Sequence, residues 1–134
     1  MDKKYKILMV EDQVQISELY KKVFEKFWFE FDSATDWLAA LTKIAKGEDA
    51  DVIVLDIMMP NMDGLEMLKI LKTQTSNLSK IIIFSNLHDE KFKNVAKDFG
   101  AECFLIKAET TPRMLLNKIT ELLQISIPWL ETNH

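Results

Sequence analysis

The 134-residue sequence is poor in the features on which several classes of protein depend. Its single cysteine, Cys103, excludes an internal disulfide bond and any metal site built from several cysteines. No stretch reaches the roughly 20 apolar residues of a membrane-spanning helix, and the N-terminus has no targeting pattern. The net charge is −4 and there is no basic run, which argues against direct contact with nucleic acid. We therefore expect a cytoplasmic, single-domain globular protein with no membrane contact.

Four short apolar runs are the strongest pattern in the sequence. They occupy residues 7–10, 52–55, 81–84 and 103–106. The run at 52–55, which leads into Asp56, indicates a central strand that is buried on both faces. The alternating segment around Phe29 and Phe31 predicts a fifth, half-exposed edge strand, and apolar residues at three- and four-residue spacing predict five helices between and after the strands. This alternation predicts an α/β fold with a doubly wound, five-stranded parallel sheet.

Polar side chains follow each of the four apolar runs. They are Glu11 with Asp12, Asp56, Ser85 and Lys107. Because the carboxyl ends of parallel strands share one edge, these residues should converge on a single crevice. Three crowded carboxylates repel one another and usually need a cation. Only oxygen ligands are available at these ends, so the expected ion is Mg²⁺.

A carboxylate beside a divalent cation, an ammonium and a hydroxyl is what phosphoryl transfer to oxygen requires. Asp56 would be the nucleophile, and Mg²⁺, Lys107 and the Ser85 hydroxyl or a backbone N–H would hold the phosphoryl oxygens. Each residue has a plainer interpretation: Asp56 as a loop carboxylate, Asp12 as a helix cap, Lys107 and Ser85 as ordinary surface or strand-end groups. Their joint occurrence at four strand ends favours one shared site.

The sequence resembles, over essentially its whole length, the receiver domain of two-component response regulators, in particular the stand-alone, chemotaxis-regulator-like kind. The resemblance rests on Val10-Glu11-Asp12, the segment 54–64, Ser85, Gly100-Ala101 and Phe104 three residues before Lys107. It implies a flavodoxin-like sheet in the order 2-1-3-4-5 with five helices. We assign residues 1–124 to this domain and residues 125–134 to an apolar C-terminal tail, whose Trp129 either folds back or meets a partner.

By this resemblance Asp56 is the phospho-acceptor, which takes its phosphoryl group from a sensor histidine kinase or a phosphotransfer protein. Glu11 and Asp12 are the acid pair of the metal site, and Mg²⁺ is held with Asp56 and the backbone carbonyl of Met58. Lys107 and Ser85 assist the transfer. The protein would not be an enzyme in the usual sense, although it would assist its own phosphorylation and dephosphorylation.

The resemblance also implies a two-state switch. Ser85 moves towards the phosphoryl group and Phe104 turns inward, although Phe104 is equally well explained as a core aromatic. The signal would pass to a downstream protein target through the face formed by the fourth helix, fifth strand and fifth helix. A homodimer is left open.

Several residues depart from the family's pattern. Lys107 is followed by Ala108 where the family usually has a cis proline, so either a strained cis bond remains or the lysine approaches differently. Asn86 stands where a small residue is usual and would narrow access to the site. Met58 and Leu87 are apolar where polar residues often position water, which predicts a long-lived phosphoryl group.

Two other functions are alternatives to a phosphorylated receiver. One is a phosphorylation-independent interaction module that kept the fold and lost the activity. The other is a phosphohydrolase of the haloacid-dehalogenase type, which needs a second aspartate two residues after the nucleophile. Met58 occupies that position, so the sequence argues against the hydrolase.

Overall fold

The computed structural model of the chain describes residues 4–47, 49–60, 63–74, 79–87 and 89–127. Its strands, in chain order, are β1 (Lys6–Val10), β2 (Glu30–Ala34), β3 (Val52–Leu55), β4 (Lys80–Ser85) and β5 (Cys103–Ile106). They form one parallel sheet in the order β2-β1-β3-β4-β5. The predicted fold class and strand order are confirmed.

Helices connect the strands and cover both faces of the sheet. They are α1 (Val14–Lys26), α2 (Trp37–Ala45), α3 (Gly64–Gln74), α4 (Glu90–Asp98) and α5 (Pro112–Leu123), with a 3₁₀ turn at Lys107–Glu109. Side-chain oxygens of Asp36, Asp89 and Thr111 accept backbone N–H groups at the starts of α2, α4 and α5. Pro112 occupies the first position of α5, where a missing N–H costs nothing.

The central strands bury side chains on both faces because successive residues of a strand point in opposite directions. Leu8 and Val10 of β1 join an apolar cluster with residues of α2, α3 and α4. Ile7 and Met9 join a second cluster with residues of α1 and α5. The strands β3 and β4 alternate in the same way. This two-sided burial fixes the sheet rigidly, and with it the positions of the residues at its carboxyl edge.

Two helices end at residues other than glycine in the left-handed backbone region. After α1, Trp28 has φ 70° and an 82% exposed side chain, and the N–H of Phe29 donates to the carbonyl of Phe24 across the turn. After α5, Gln124 has φ 56°. The chain then brings Ile125 and Ile127 against the second cluster.

The C-terminal tail is described only in its first residues. Trp129 lies outside the described residues, and the division at residue 124 stays a prediction. Within the described ranges, no helix is long and apolar enough to cross a membrane.

Candidate functional site

The site lies at the carboxyl edge of the sheet, where backbone pairing fixes the first residues beyond the strands. The N–H of Glu11 donates to the carbonyl of Ala34 at 2.9 Å, and the N–H of Asp56 donates to the carbonyl of Val10 at 3.0 Å. Each donor thus extends the ladder of the adjacent strand pair by one bond. The carboxylates that follow β1 and β3 are therefore held side by side by the sheet itself.

Three carboxylates meet at this edge: Glu11, Asp12 and Asp56, which we call the acidic cluster. One ligand oxygen from each lies within 4.8 Å of the others. Glu11 and Asp56 are only 1% and 5% exposed, whereas Asp12 faces solvent. The cluster is thus closed on one side by the sheet and open on the other, where an ion or a phosphoryl group can enter.

Lys107 reaches the acidic cluster from the far end of the site. Its Nζ lies 2.5 Å from Glu11 Oε1 and 2.8 Å from Asp56 Oδ2, and the lysine side chain is 15% exposed. Lys107 follows β5, and its side chain bridges to the carboxylates that follow β1 and β3, although Lys107, Glu11 and Asp56 lie far apart in sequence. The ammonium therefore partly neutralises two carboxylates that the sheet forces together.

Backbone N–H groups orient the remaining carboxylate oxygens. Asp56 Oδ1 accepts the N–H of Met58 at 2.9 Å, and Glu11 Oε2 accepts the N–H of Gln13 at 3.0 Å. Both carboxylates are therefore fixed in rotation as well as position. The family resemblance implies a metal-binding role for the Met58 carbonyl, but the sequence gives no sign of the role of its N–H, because a two-residue turn back to a carboxylate has no distinct pattern.

Burial and charge oppose each other in setting the pKa values of the ion pair. Burial raises the pKa of Glu11 above its ordinary value, against the lowering effect of Lys107 and of the Gln13 N–H. For Lys107, burial alone would lower the pKa, but the hydrogen bonds to Asp56 and Glu11 outweigh it, and the pKa is raised. The lysine is consequently a permanent cation at neutral pH.

Ser85 and Phe104, the two residues assigned to a switch, lie on adjacent strands. Ser85 ends β4 with no exposed surface, and its Oγ is 3.4 Å from the N–H of Leu87. Phe104 on β5 is only partly buried, and its ring packs edge-to-face against Phe92 with centroids 6.2 Å apart. It lines a cavity of about 270 Å³ between α4 and β5. Phe104 thus has free space beside it.

The connection from β5 to Lys107 follows an ordinary backbone path. The Lys107–Ala108 peptide bond is trans, so the lysine reaches the acidic cluster without the cis bond left open above. Asn86 Oδ1 accepts the N–H of Ala108 at 2.7 Å, a contact that sequence reasoning missed. The only signal for it is that Asn86 and Lys107 each directly follow the paired residues Ser85 and Ile106.

The residues present fit a divalent metal ion. The three acids offer only oxygen atoms, the donors that Mg²⁺ prefers, and a carboxylate oxygen that already accepts one hydrogen bond can also bind a cation. When all four groups are ionised, the three carboxylates carry three negative charges and the Lys107 ammonium one positive charge, which leaves a net charge of −2. A dication would balance that charge.

Comparison with known proteins identifies what the chain is similar to. Residues 7–120 match the family model described as the response regulator receiver domain. The chain is 35% identical over 96 residues to sporulation initiation phosphotransferase F of Bacillus subtilis, covering 72% of this chain and 76% of that protein. It is 34% identical over 122 residues to the alkaline phosphatase synthesis transcriptional regulatory protein PhoP of the same organism, covering 90% of this chain but only 49% of that protein.

Solved structures agree with this similarity. The receiver domain of a Francisella response regulator superposes with a TM-score of 0.78 at 32% identity, covering 90% of this chain and 97% of that one. Every residue of the site lies within the range 7–120 that the family model matches.

Proposed function

The chain belongs to the response regulator receiver domain family, and from this premise we propose that Asp56 accepts a phosphoryl group from a phosphohistidine of a sensor histidine kinase or phosphotransfer protein. The observation that carries the proposal is the contact of Lys107 Nζ with Asp56 Oδ2 at 2.8 Å, within an acidic cluster. A cation beside a buried acceptor carboxylate is the arrangement that phosphoryl transfer needs.

In the transfer step, a carboxylate oxygen of Asp56 forms a bond to phosphorus as the phosphorus–nitrogen bond of the donor breaks. The imidazole nitrogen keeps the electron pair of that bond and takes up a proton. The Met58 N–H holds the carboxylate in a fixed rotation for attack, and Lys107 offers its ammonium to a phosphoryl oxygen. Ser85 supplies a hydroxyl at the end of the neighbouring strand.

Glu11, Asp12 and Asp56 would hold Mg²⁺, together with the Met58 carbonyl. When bound, the ion would supply neutralisation of the charge on the phosphoryl oxygens. The residues' own part is to keep oxygen ligands close together in spite of their repulsion, which the two ladder hydrogen bonds and Lys107 achieve.

Phosphorylation would then change the conformation of the face formed by α4, β5 and α5. Movement of Ser85 towards the phosphoryl group would leave space behind the serine. The ring of Phe104, which borders a cavity between α4 and β5, would turn inward into that space. A downstream protein that binds this face in one of the two arrangements would shift the population between them. We propose that this is how the chain signals; a homodimer and a cytoplasmic location stay predictions.

The side chains flanking Asp56 predict a slow loss of the phosphoryl group. Met58 is 56% exposed beside the acceptor, and Leu87 is half-buried after Ser85. Leu87 has no hydrogen-bonding group and the Met58 thioether is only a weak acceptor, so neither side chain orients an attacking water as a polar side chain would. A lifetime of only seconds for the phosphorylated wild-type protein would contradict this part of the proposal.

Incubation with Mg²⁺ and a small acyl phosphate tests the proposal directly. We expect one equivalent of acid-stable, base-labile phosphate by intact-protein mass spectrometry, and none in Asp56→Asn. The matched control is Asp32→Asn, which removes a carboxylate paired with Lys43 on the edge strand β2 and should phosphorylate normally.

NMR with beryllofluoride, a phosphoryl mimic, tests the switch separately. Shift changes should extend from Asp56 to Phe104 in the wild type and be lost in Asp56→Asn. No phosphate and no shift would favour the phosphorylation-independent module, and repeated turnover of a phosphate ester would favour the hydrolase. Either result would overturn the proposal.

A further inference from the structure

The 3₁₀ turn that carries Lys107 is not capped by its own chain segment. Its N-cap residue, Ile106, has no side-chain hydrogen-bonding group, and the first N–H groups of such a turn have no partner within it. The amide oxygen of Asn86 accepts the N–H of Ala108, the second residue of the turn, at 2.7 Å. This is the bond that a capping side chain makes, supplied here from the neighbouring strand's loop.

The hydrogen bond lies where backbone pairing between β4 and β5 stops. The last paired residues of these two strands are Ser85 and Ile106. At its other end the turn is closed by Thr110, whose Oγ1 donates to the carbonyl of Ile106 at 2.7 Å and whose N–H donates to that of Lys107 at 3.3 Å. Asn86 therefore ties an otherwise self-contained turn to the sheet edge.

From these contacts we infer that Asn86 is a positioning residue, which fixes the backbone at Lys107 and thereby holds the lysine ammonium on Glu11 and Asp56. A lysine side chain has several rotatable bonds, so a fixed backbone reduces the conformational freedom that is lost when its ammonium is held in one place. Asn86 does not contact the carboxylates in this arrangement; it acts through Ala108 and the turn. The expected effect on phosphoryl transfer rests on the proposed function, whereas the effect of Asn86 on the position of Lys107 does not depend on it.

Three variants isolate the hydrogen bond. Asn86→Ala removes the acceptor, and Asn86→Asp keeps an oxygen acceptor at the same position. Asn117→Ala, the matched control, removes an exposed asparagine side chain from α5, away from the turn. None of the three replaces a side chain to which the proposed function gives a contact with the metal or the phosphoryl group.

The first measurement does not depend on phosphorylation. Hydrogen exchange at the Ala108 amide should speed up about fivefold in Asn86→Ala, the change that corresponds to a capping bond of about 1 kcal/mol. The NMR signal of the Lys107 ammonium, slowly exchanging while it is paired, should broaden or disappear in the same variant. Asn86→Asp and Asn117→Ala should match the wild type in both signals.

The second measurement is the rate of phosphorylation by an acyl phosphate in Mg²⁺ as donor concentration is varied. Asn86→Ala should lower the maximal rate even though it widens access to the site, whereas Asn117→Ala should leave that rate unchanged. Unchanged exchange at Ala108, or a lost hydrogen bond with an unaltered Lys107 signal, would overturn the positioning role. If the wild type takes no phosphate, the proposed function fails, and the Lys107 signal still decides the role of Asn86.

Discussion

Replacing Lys107 by methionine tests how much the ammonium stabilises the acidic cluster. Methionine keeps most of the side-chain volume and removes the charge. Two unit charges 4 Å apart attract by about 4 kcal/mol at an effective dielectric constant of about 20, so two close contacts give roughly 8 kcal/mol before dehydration is counted. Both partner carboxylates are at most 5% exposed, so removing the cation leaves buried charge uncompensated. We expect a loss of about 3–5 kcal/mol in the free energy of unfolding.

Urea unfolding at pH 7 without divalent cations measures this loss. Lys43→Met is the control, because its ion pair with Asp32 has the same type of contact at 2.9 Å but about 30% exposure on each side. Such exposed pairs contribute at most about 1 kcal/mol. Added Mg²⁺ should stabilise Lys107→Met more than the wild type, because the ion no longer competes with an ammonium.

The deficit should also depend on pH with a definite sign. The folded-state pKa of Glu11 is already raised above 4.5, and removal of Lys107 takes away an interaction that lowers it. A raised carboxyl pKa means that stability is retained below the unfolded value and lost as pH rises through the folded value. The Lys107→Met deficit should therefore be small near pH 4 and grow towards pH 7. A deficit under about 0.5 kcal/mol at pH 7, within the range of ordinary surface substitutions, would refute the reasoning.

Further predictions concern backbone strain and thiol chemistry. Trp28→Gly should raise the unfolding free energy by about 1 kcal/mol in urea, because the residue is exposed and its φ of 70° suits glycine. Gly47→Ala, at φ 78°, should lower that free energy by a similar amount, about 1 kcal/mol. Gly100→Ala should lower the midpoint of thermal unfolding further than Gly47→Ala does, because its φ of 102° lies further from the left-handed region that a residue with a Cβ can adopt. Burial raises the pKa of Cys103 to about 11, so iodoacetamide alkylation followed by mass spectrometry should keep accelerating above pH 9. A rate plateau near pH 9 would contradict the raised pKa, and an unchanged or lowered stability of Trp28→Gly would contradict the strain argument.

The sequence allowed the sheet to be predicted because its central strands are buried on both faces. The runs at 52–55 and 81–84 are apolar at every position, and this pattern has few alternatives once helices alternate with the strands. The strand ends followed from the same pattern. Parallel topology then placed Glu11, Asp56 and Lys107 at one edge without any knowledge of register.

Contacts that depend on register and turn geometry could not be predicted. Asn86 and Ala108 are 22 residues apart, and they meet only because Ser85 pairs with Ile106 rather than with a neighbour. The left-handed conformation of Trp28 was equally hidden, since tryptophan carries no preference for it. Packing of Phe104 at the rim of the core, rather than within it, follows from the edge position of β5.

The position of Lys107 means that the chain carries its own counter-ion for two of its three clustered acids. The domain can thus complete its folding before any external cation arrives, since the most deeply buried negative charges are already compensated internally. A divalent ion would bind beside an ammonium that already pairs with two of its three carboxylate ligands. Its apparent affinity is therefore set below what three bare carboxylates would give, which favours reversible loading over permanent retention.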